Sequence, residues 1–418
     1  MSKFKLNQRE KAWILYDVGN SAFTMLVSTL IPIYFNALAS SAGVSDTNYL
    51  AYWGYAGSIA TLLTAIIGPV FGTLADRKNY KKPIFTIALV LGVVSCAALG
   101  AAWSWISFLL IFVFSKVCYS SSLVFYDAML PETTTDDRMD NVSSQGYAFG
   151  YIGSCIPFIA CLVIVLMSDK LGISQSAAMS IAFIITAAWW LVMTIPLLKT
   201  YHQTLYVEAH GNPFRQSFGQ LAGTFRNIRK EKHIFLFLVA FFLFIDGVYT
   251  IIDMAVAYGT AVGLDTTGLL LALLLTQFVA FPFAILFGRL ASKYDTGLLI
   301  KVCIVAYTGI TIFAIFLASQ WQFWVLAVCV GMFQGGVQAL SRSYFGKIIP
   351  PEKSGEYFGL FDICGKGAAF MGTALISVVT QLSGSQSMGV GALVIVFVGG
   401  YLVFRVADRS CKEALTNK

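Results

Sequence analysis

The sequence predicts an all-α membrane protein of twelve transmembrane helices, arranged as two pseudo-symmetric six-helix halves. Three observations carry this. Hydrophobic residues make up 57% of the chain and charged residues only 12%, a balance foreign to soluble domains. Apolar runs long enough to cross a bilayer core recur from one end of the chain to the other. The frame Phe71-Gly72-Thr73-Leu74-Ala75-Asp76 returns half a chain later as Phe287-Gly288-Arg289-Leu290-Ala291-Ser292, which indicates an internal repeat.

The spans are read at residues 12–38, 49–74, 83–103, 105–130, 143–167 and 175–198, then 233–259, 266–289, 298–319, 321–345, 355–381 and 387–407. The first follows a polar, basic start, is too long for a signal-peptide core and has no small-residue cleavage site, so it reads as a retained span. Most connections are short; the long one, 199–232, divides the chain into halves at 1–198 and 233–418. Within it Phe214, Phe218, Leu221, Phe225 and Ile228 recur at helical spacing behind Asn212-Pro213. That pattern predicts an amphipathic helix, lying on the membrane surface or packed under the bundle.

Basic residues fix the sidedness. Lys3, Lys5, Arg9 and Lys11, then Arg77, Lys78, Lys81 and Lys82, then the central loop and the C-terminal end all fall on one side; Lys170 alone falls on the other. By the positive-inside rule both termini are expected in the cytoplasm of a multi-pass protein of the plasma membrane. The net charge of +7 is thus topological, and no nucleic-acid partner is expected. The sequon at Asn141 would then face the cytoplasm and carry no glycan. Eight scattered cysteines and three histidines in or beside one loop offer no metal site and no cofactor, beyond a coupling proton or sodium ion. The chain is expected to act as a monomer.

The halves echo one another further. Leu130-Pro131-Glu132 leaves span 4 as Ile349-Pro350-Pro351-Glu352 leaves span 10, and Gly146-Tyr147-Ala148-Phe149-Gly150 resembles Glu356-Tyr357-Phe358-Gly359. Asp17 in span 1 and Asp246 in span 7 lie at comparable depth.

Phe71 to Lys82 resembles the loop signature of the major facilitator superfamily, with Tyr80 where its second glycine usually stands. Trp13-Ile14-Leu15-Tyr16-Asp17-Val18-Gly19-Asn20-Ser21-Ala22-Phe23, and Asp127-Ala128-Met129-Leu130-Pro131-Glu132 followed by Gly146 to Gly153, are similar to that superfamily's vacuole-effluxer-like family. There Val18-Gly19 replaces the family's usual Trp-Ala. The resemblance spans essentially the whole chain. It implies the major facilitator fold, with spans 1, 4, 7 and 10 around a central cavity, and export of amino acids. It also implies a gate, built here from Gly72, Asp76, Arg77, Lys81, Lys82, Asp127, Gly288 and Arg342. In that gate Arg77 would pair with Asp127, and Asp76 would sit near Gly355 at the start of span 11.

Charges inside spans are costly, about 2.5–3.5 kcal/mol or more each, and so mark function. The candidates for substrate or ion binding are Asp17, Asn20, Lys116, Tyr119, Asp246, Asp253, Gln277, Gln334, Gln338, Asp362 and Lys366. Several have a plainer reading: Asp17 as a solvated helix end, Asp253 as a residue of the outer mouth, the glutamines as bridges between helices, Asp362–Lys366 as a pair across one turn, Asp246 as pairing only with Asp362–Lys366 or staying protonated, and Lys116 as answering Asp127 or Asp17 within its own half. The sharper expectation joins Lys116 and Asp246 across the halves, to hold the carboxylate and ammonium of a zwitterion.

The function these observations favour is secondary active transport of a small polar solute, an amino acid or similar zwitterion, by alternating access. A lipid or amphiphilic-drug exporter of the same fold is the alternative, and a non-transporting sensor a weaker one. An enzyme is disfavoured: no histidine lies at mid-span, and neither H-E-x-x-H nor G-x-S-x-G occurs.

Overall fold

The computed structural model describes residues 5–208, 219, 231–261 and 263–416. Among them are twelve helices long and apolar enough to cross a membrane. The first half holds α1 (Gln8–Ser28), α2 (Asp46–Ala75), α3 (Lys81–Ala98), α4 (Trp105–Ala128), α5 (Asp136–Leu166) and α6 (Gln175–Thr200). The second holds α7 (Lys232–Ala261), α8 (Thr266–Ala291), α9 (Thr296–Ile315), α10 (Gln320–Ile348), α11 (Ser354–Ser383) and α12 (Leu393–Thr416). The amphipathic helix expected between Asn212 and Lys230 lies outside the described residues.

The helices begin where the sequence supplies acceptors for orphan N–H groups. Asn7 and Glu10 close a capping box on α1, Ser104 and Ser107 one on α4, and Ser45, Ser174, Asp265 and Asp295 cap α2, α6, α8 and α9. The first span is broken. Helix α1 stops at Ser28, and after Thr29 the chain resumes as Leu30–Ser41. Pro32 explains the break, because its ring would press on the carbonyl four residues back, that of Ser28. At the other extreme α12 runs to Thr416, past the expected end at residue 407. Its polar end is held against α9 by Asp408, which pairs with Lys301, and by Lys412, which pairs with Asp295.

Each half has its own aromatic core. Trp13, Tyr16, Phe23, Phe85, Phe108 and Trp190 fill the first; Phe237, Phe244, Tyr307, Phe345, Phe397 and Phe404 fill the second. The halves meet along two related seams, α2 against α11 and α5 against α8, with α10 also packed on α5. Small residues make the first seam close. A Cβ on Gly72 would lie 2.2 Å from the Gly355 carbonyl oxygen, and one on Gly359 would lie 2.7 Å from Pro69 Cα. The backbones of α2 and α11 therefore touch.

Candidate functional site

A buried inter-half contact is built on Arg342 of α10. Its Nη1 donates to Asp127 Oδ1 at 3.0 Å, and its Nη2 to Asp17 Oδ2 at 3.2 Å. Nε and Nη2 also donate to the Ser143 hydroxyl and carbonyl, each at 3.0 Å. The guanidinium stacks on Trp13 and Tyr147, 4.6 and 4.3 Å from their ring centroids. Only a planar fork of five donors can meet all these partners at once. Space for the ion pair comes from Gly146, whose Cβ would lie 2.5 Å from Asp17 Oδ2.

This corrects two expectations. Asp127 pairs with Arg342 and not with Arg77, which lies half-buried in the loop and bridges by its backbone to Val207. The plainer reading of Asp17 as a solvated end also fails, since it is 6% exposed.

Beside this cluster, Asn20 donates to Asp17 Oδ1, and Tyr119 shares hydrogen bonds with Thr24 at 2.6 Å and Asn20 at 3.4 Å. Asp17, Asn20 and Tyr119 therefore form one polar network along α1 and α4. Lys116 does not meet Asp246. The charged groups acting on it are Asp253 of α7 and Lys366 of α11, both from the opposite half. Asp253 is exposed and Lys116 half-buried. Lys366 pairs with Asp362 across one turn at 2.5 Å.

Asp246 is instead fully buried and accepts from the Gly372 N–H of α11 at 2.8 Å. The distribution follows helix geometry: Asp246 and Asp253 are seven apart, about 10 Å along the axis, so only one of them lies level with Lys116. Gln338 accepts from Tyr151 of the other half at 2.7 Å, and Gln334 is buried one turn away on α10. Gln338 bridges helices, as the plainer reading had it. Gln277 is half-buried on α8.

At the basic end the seams are latched. Both oxygens of Asp76 accept backbone N–H groups at the start of α11, from Gly355 at 2.7 Å and Glu356 at 2.8 Å. This is the position the resemblance implies, and a helix N-terminus favours a carboxylate there. Burial pushes the Asp76 carboxyl up to about 7, although Lys81 and the two N–H groups pull it down. Lys81 is fully buried; it reaches Glu132 at 2.7 Å, Ser354 at 2.9 Å and Asp76 at 3.8 Å. Lys82 stays within its own half, donating to the Tyr201 carbonyl.

The echo loop behaves in parallel. A Cβ on Gly288 would lie 2.7 Å from Ser144 Cβ, and Ser292 accepts from Asn141 at 2.7 Å. Nearby, Asp140 collects Lys347, Ser343 and Thr296. Among the described residues, the hydrogen bonds between the halves lie at this basic end or at Tyr151–Gln338.

Sequence reasoning missed Asp140, Ser143, Lys347 and Ser354. Asp140 stands one turn after the acidic start of α5 at Asp136 and Asp137, where sequence gives no sign of burial, and Asn141 with Ser143 reads as a sequon. The signal was periodicity: Asp140, Ser144 and Ala148, at intervals of four, share one helical face.

A family model described as "Vacuole effluxer Atg22 like" matches residues 7–414. An MFS-type transporter of Bacillus subtilis (strain 168), YxiO, itself uncharacterized, is 41% identical over 404 residues, covering 96% of this chain and 94% of that protein. Autophagy-related protein 22-1 of Aspergillus fumigatus is 26% identical over 270 residues, 58% of this chain and 44% of that protein. Among solved structures, the human organic anion transporter MFSD10 superposes with a TM-score of 0.73 at 12% identity, covering 96% of this chain and all of that one.

Proposed function

This chain belongs to the Atg22-like vacuole effluxer family of MFS-type transporters, and on that premise we propose that it exports a small zwitterion, an amino acid or close relative, by alternating access. One observation carries the substrate reading. Lys116 of the first half faces Asp253 and Lys366 of the second, with Asp362 paired to Lys366. Opposite charges from the two halves thus act on one another across the space between α4 and α7. A solute bearing both charges can bridge them, so occupancy changes the attraction between the halves. Lys116 and Asp253 form no direct ion pair in this conformation, so the charges of the solute make the close contacts; at an effective dielectric of about 20, unit charges about 4 Å apart interact by roughly 4 kcal/mol, enough to bias a two-state equilibrium.

The basic end is the cytoplasmic end under the positive-inside rule. In the conformation described here that end is shut by the two latches and the Arg342 cluster, and Asp253 is reached by solvent on the far side of them. Opening the basic end breaks the contacts of Arg342 with Asp17 and Asp127, which places Arg342 in the gate and Asp17 at its inner face.

The test is transport into and out of proteoliposomes with a labelled amino-acid mixture, in wild type and in Lys116→Ala and Asp253→Asn. Both substitutions are expected to reduce exchange at least tenfold. Undiminished transport in both would sink the zwitterion reading, and an amphiphile whose transport tolerates loss of Lys116 would replace it. Labelling of an introduced cysteine at Ser45, but not at Lys5, from outside intact cells checks the orientation.

A further inference from the structure

Asp246 differs from the other buried acids of the spans. Asp17 and Asp127 share Arg342, Asp140 faces Lys347, and Asp408 faces Lys301. Among the described residues no charged group acts on Asp246; the groups that act on it are the Gly372 N–H and the Thr250 hydroxyl. Helices α8, α9, α10, α11 and α12 all pack against α7. Their mid-helix charges are engaged elsewhere, Asp362 and Lys366 on each other, Arg342 and Lys347 on the first half and Lys301 on Asp408, while Arg289, Glu356, Arg405, Arg409, Lys412 and Glu413 stand toward the basic ends of their helices.

Two oxygens at this place are left over. Asp246 Oδ2 and Thr250 Oγ1 are buried, and neither makes a hydrogen bond of good geometry among the described residues, although the Thr250 hydroxyl lies close enough to act on the carboxyl. Thr250 is unusual. Buried Thr64, Thr186, Thr194, Thr276 and Thr311 all return their hydroxyls to the carbonyl four residues back. The Thr250 hydroxyl does not; it converges with Asp246 on Gly372, where a Cβ would lie 2.1 Å from Thr250 Oγ1 and 2.7 Å from Asp246 Oδ1. A bare carboxylate with one unbonded oxygen is costly in such a place. Two side-chain oxygens are too few for sodium, but they are the right number for one proton.

We propose that Asp246 carries an exchangeable proton on Oδ2, donated in a hydrogen bond to Thr250 Oγ1, and that this is the coupling proton of the transport cycle. The assignment rests on the transport reading above. Binding forms one O–H bond on a carboxylate and leaves a neutral acid; release returns the proton to water. Coupling follows from α11, which touches three places. Its start docks on Asp76 across the seam, its middle carries Asp362 and Lys366, and its Gly372 N–H holds Asp246 Oδ1. When α11 leaves the first half to open the basic end, Gly372 moves against Asp246 and the proton site changes with it.

The test needs no substrate, so it stands or falls apart from the zwitterion reading. Infrared difference spectra of the purified full chain at neutral pH are compared between wild type and Asp246→Asn. A protonated-carboxyl C=O band present in wild type and lost in Asp246→Asn is expected, with a frequency shift in Thr250→Val. A spectrum unchanged by Asp246→Asn overturns the proposal. So does a melting temperature that rises with sodium chloride but not choline chloride in wild type only, since sodium would then be the occupant. Should Asp246→Asn fail to fold, Thr250→Val decides: a band left unshifted by it overturns the proposal equally.

Discussion

The two seams at the basic end are made from the same repeated frame, yet they are built differently. In the first, Gly72 meets backbone, and the frame ends in Asp76, which is fully buried on two N–H groups and backed by the buried Lys81. In the second, Gly288 meets the Ser144 side chain, and the frame ends in Ser292, which is exposed and takes one hydrogen bond from Asn141. Its charge pair, Asp140–Lys347, sits off the frame, and the Lys347 side chain is 22% exposed. Duplication supplied one backbone geometry. Burial then made the first seam's frame a charged lock and left the second seam's frame uncharged, with its ion pair beside it. We propose that the first seam governs closure and that the second mainly keeps the halves in register.

Removing the lysines should separate the seams most. Lys81→Met strands Glu132 and Asp76 without a countercharge, and breaking a buried pair costs about 3–5 kcal/mol. Lys347→Met leaves Asp140 with donors from Ser343 and Thr296, and a partly exposed pair is worth about 1 kcal/mol or less. Pulsed electron-spin distances report each seam, between labels at Lys78 and Glu352 for the first and Asp137 and Lys293 for the second. Equal opening in the two variants would erase the distinction.

The glycines give a smaller contrast. Gly72→Ala drives a methyl into the Gly355 backbone, which cannot rotate away, and should open the first seam by about 1–3 kcal/mol. Gly288→Ala meets Ser144 Cβ at 2.7 Å, an atom as fixed as the backbone, but the approach is less close than the 2.2 Å at Gly72, and the gain in helix propensity, up to about 1 kcal/mol, offsets part of the strain. A Gly288→Ala variant that opens as far as Gly72→Ala would show that the second seam also bears closure.

A pH titration sharpens the difference without any clash. Asp76 stands near 7 when its seam is closed, and returns to the ordinary value of about 3.9 when opening brings water to it. The groups facing it are Lys81 and Glu356, with Glu132 behind Lys81. The closed seam therefore binds more protons between about pH 4 and 7. Rising pH across that window progressively disfavours closure, and above it the effect is complete. The slope should vanish in Asp76→Asn, and a wild-type distance distribution that does not respond between pH 4 and 7 would contradict it.

Much of this was legible in the chain. Hydropathy, the basic loops and the repeated frame indicate twelve spans and two halves, and the family resemblance implies Asp76 near Gly355, where contacts of hydrogen-bond length place it. Partner choice was not legible. Arg342, Asp17 and Asp127 come from three helices and two halves, and nothing in their spacing says that Gly146 clears room for them. Lys116 was assigned the wrong aspartate because Asp246 and Asp253 share a face of α7, and sequence cannot say which turn lies level with α4. Asp140 was hidden by its neighbours: a run of acids at a helix start reads as solvated until another helix covers one of them.

The subtlest experiment makes the second frame copy the first. Ser292→Asp restores the carboxylate that the repeat carries at Asp76. Asn141 can still donate to it, so the local hydrogen bond survives. The surroundings differ in every other respect. The position is exposed, Asp140 lies next to Asn141 as a like charge, and the nearby cation, Lys347, is already engaged by Asp140. Water screens the new charge, so the change in closure should stay within about 0.5 kcal/mol. The second seam should also gain no pH slope between 4 and 7, because an exposed carboxyl keeps its ordinary value in both states. If Ser292→Asp instead locked the second seam or made it pH-responsive, the frame itself would be the lock, and burial by Lys81, Glu132 and Ser354 would not be what sets the two seams apart.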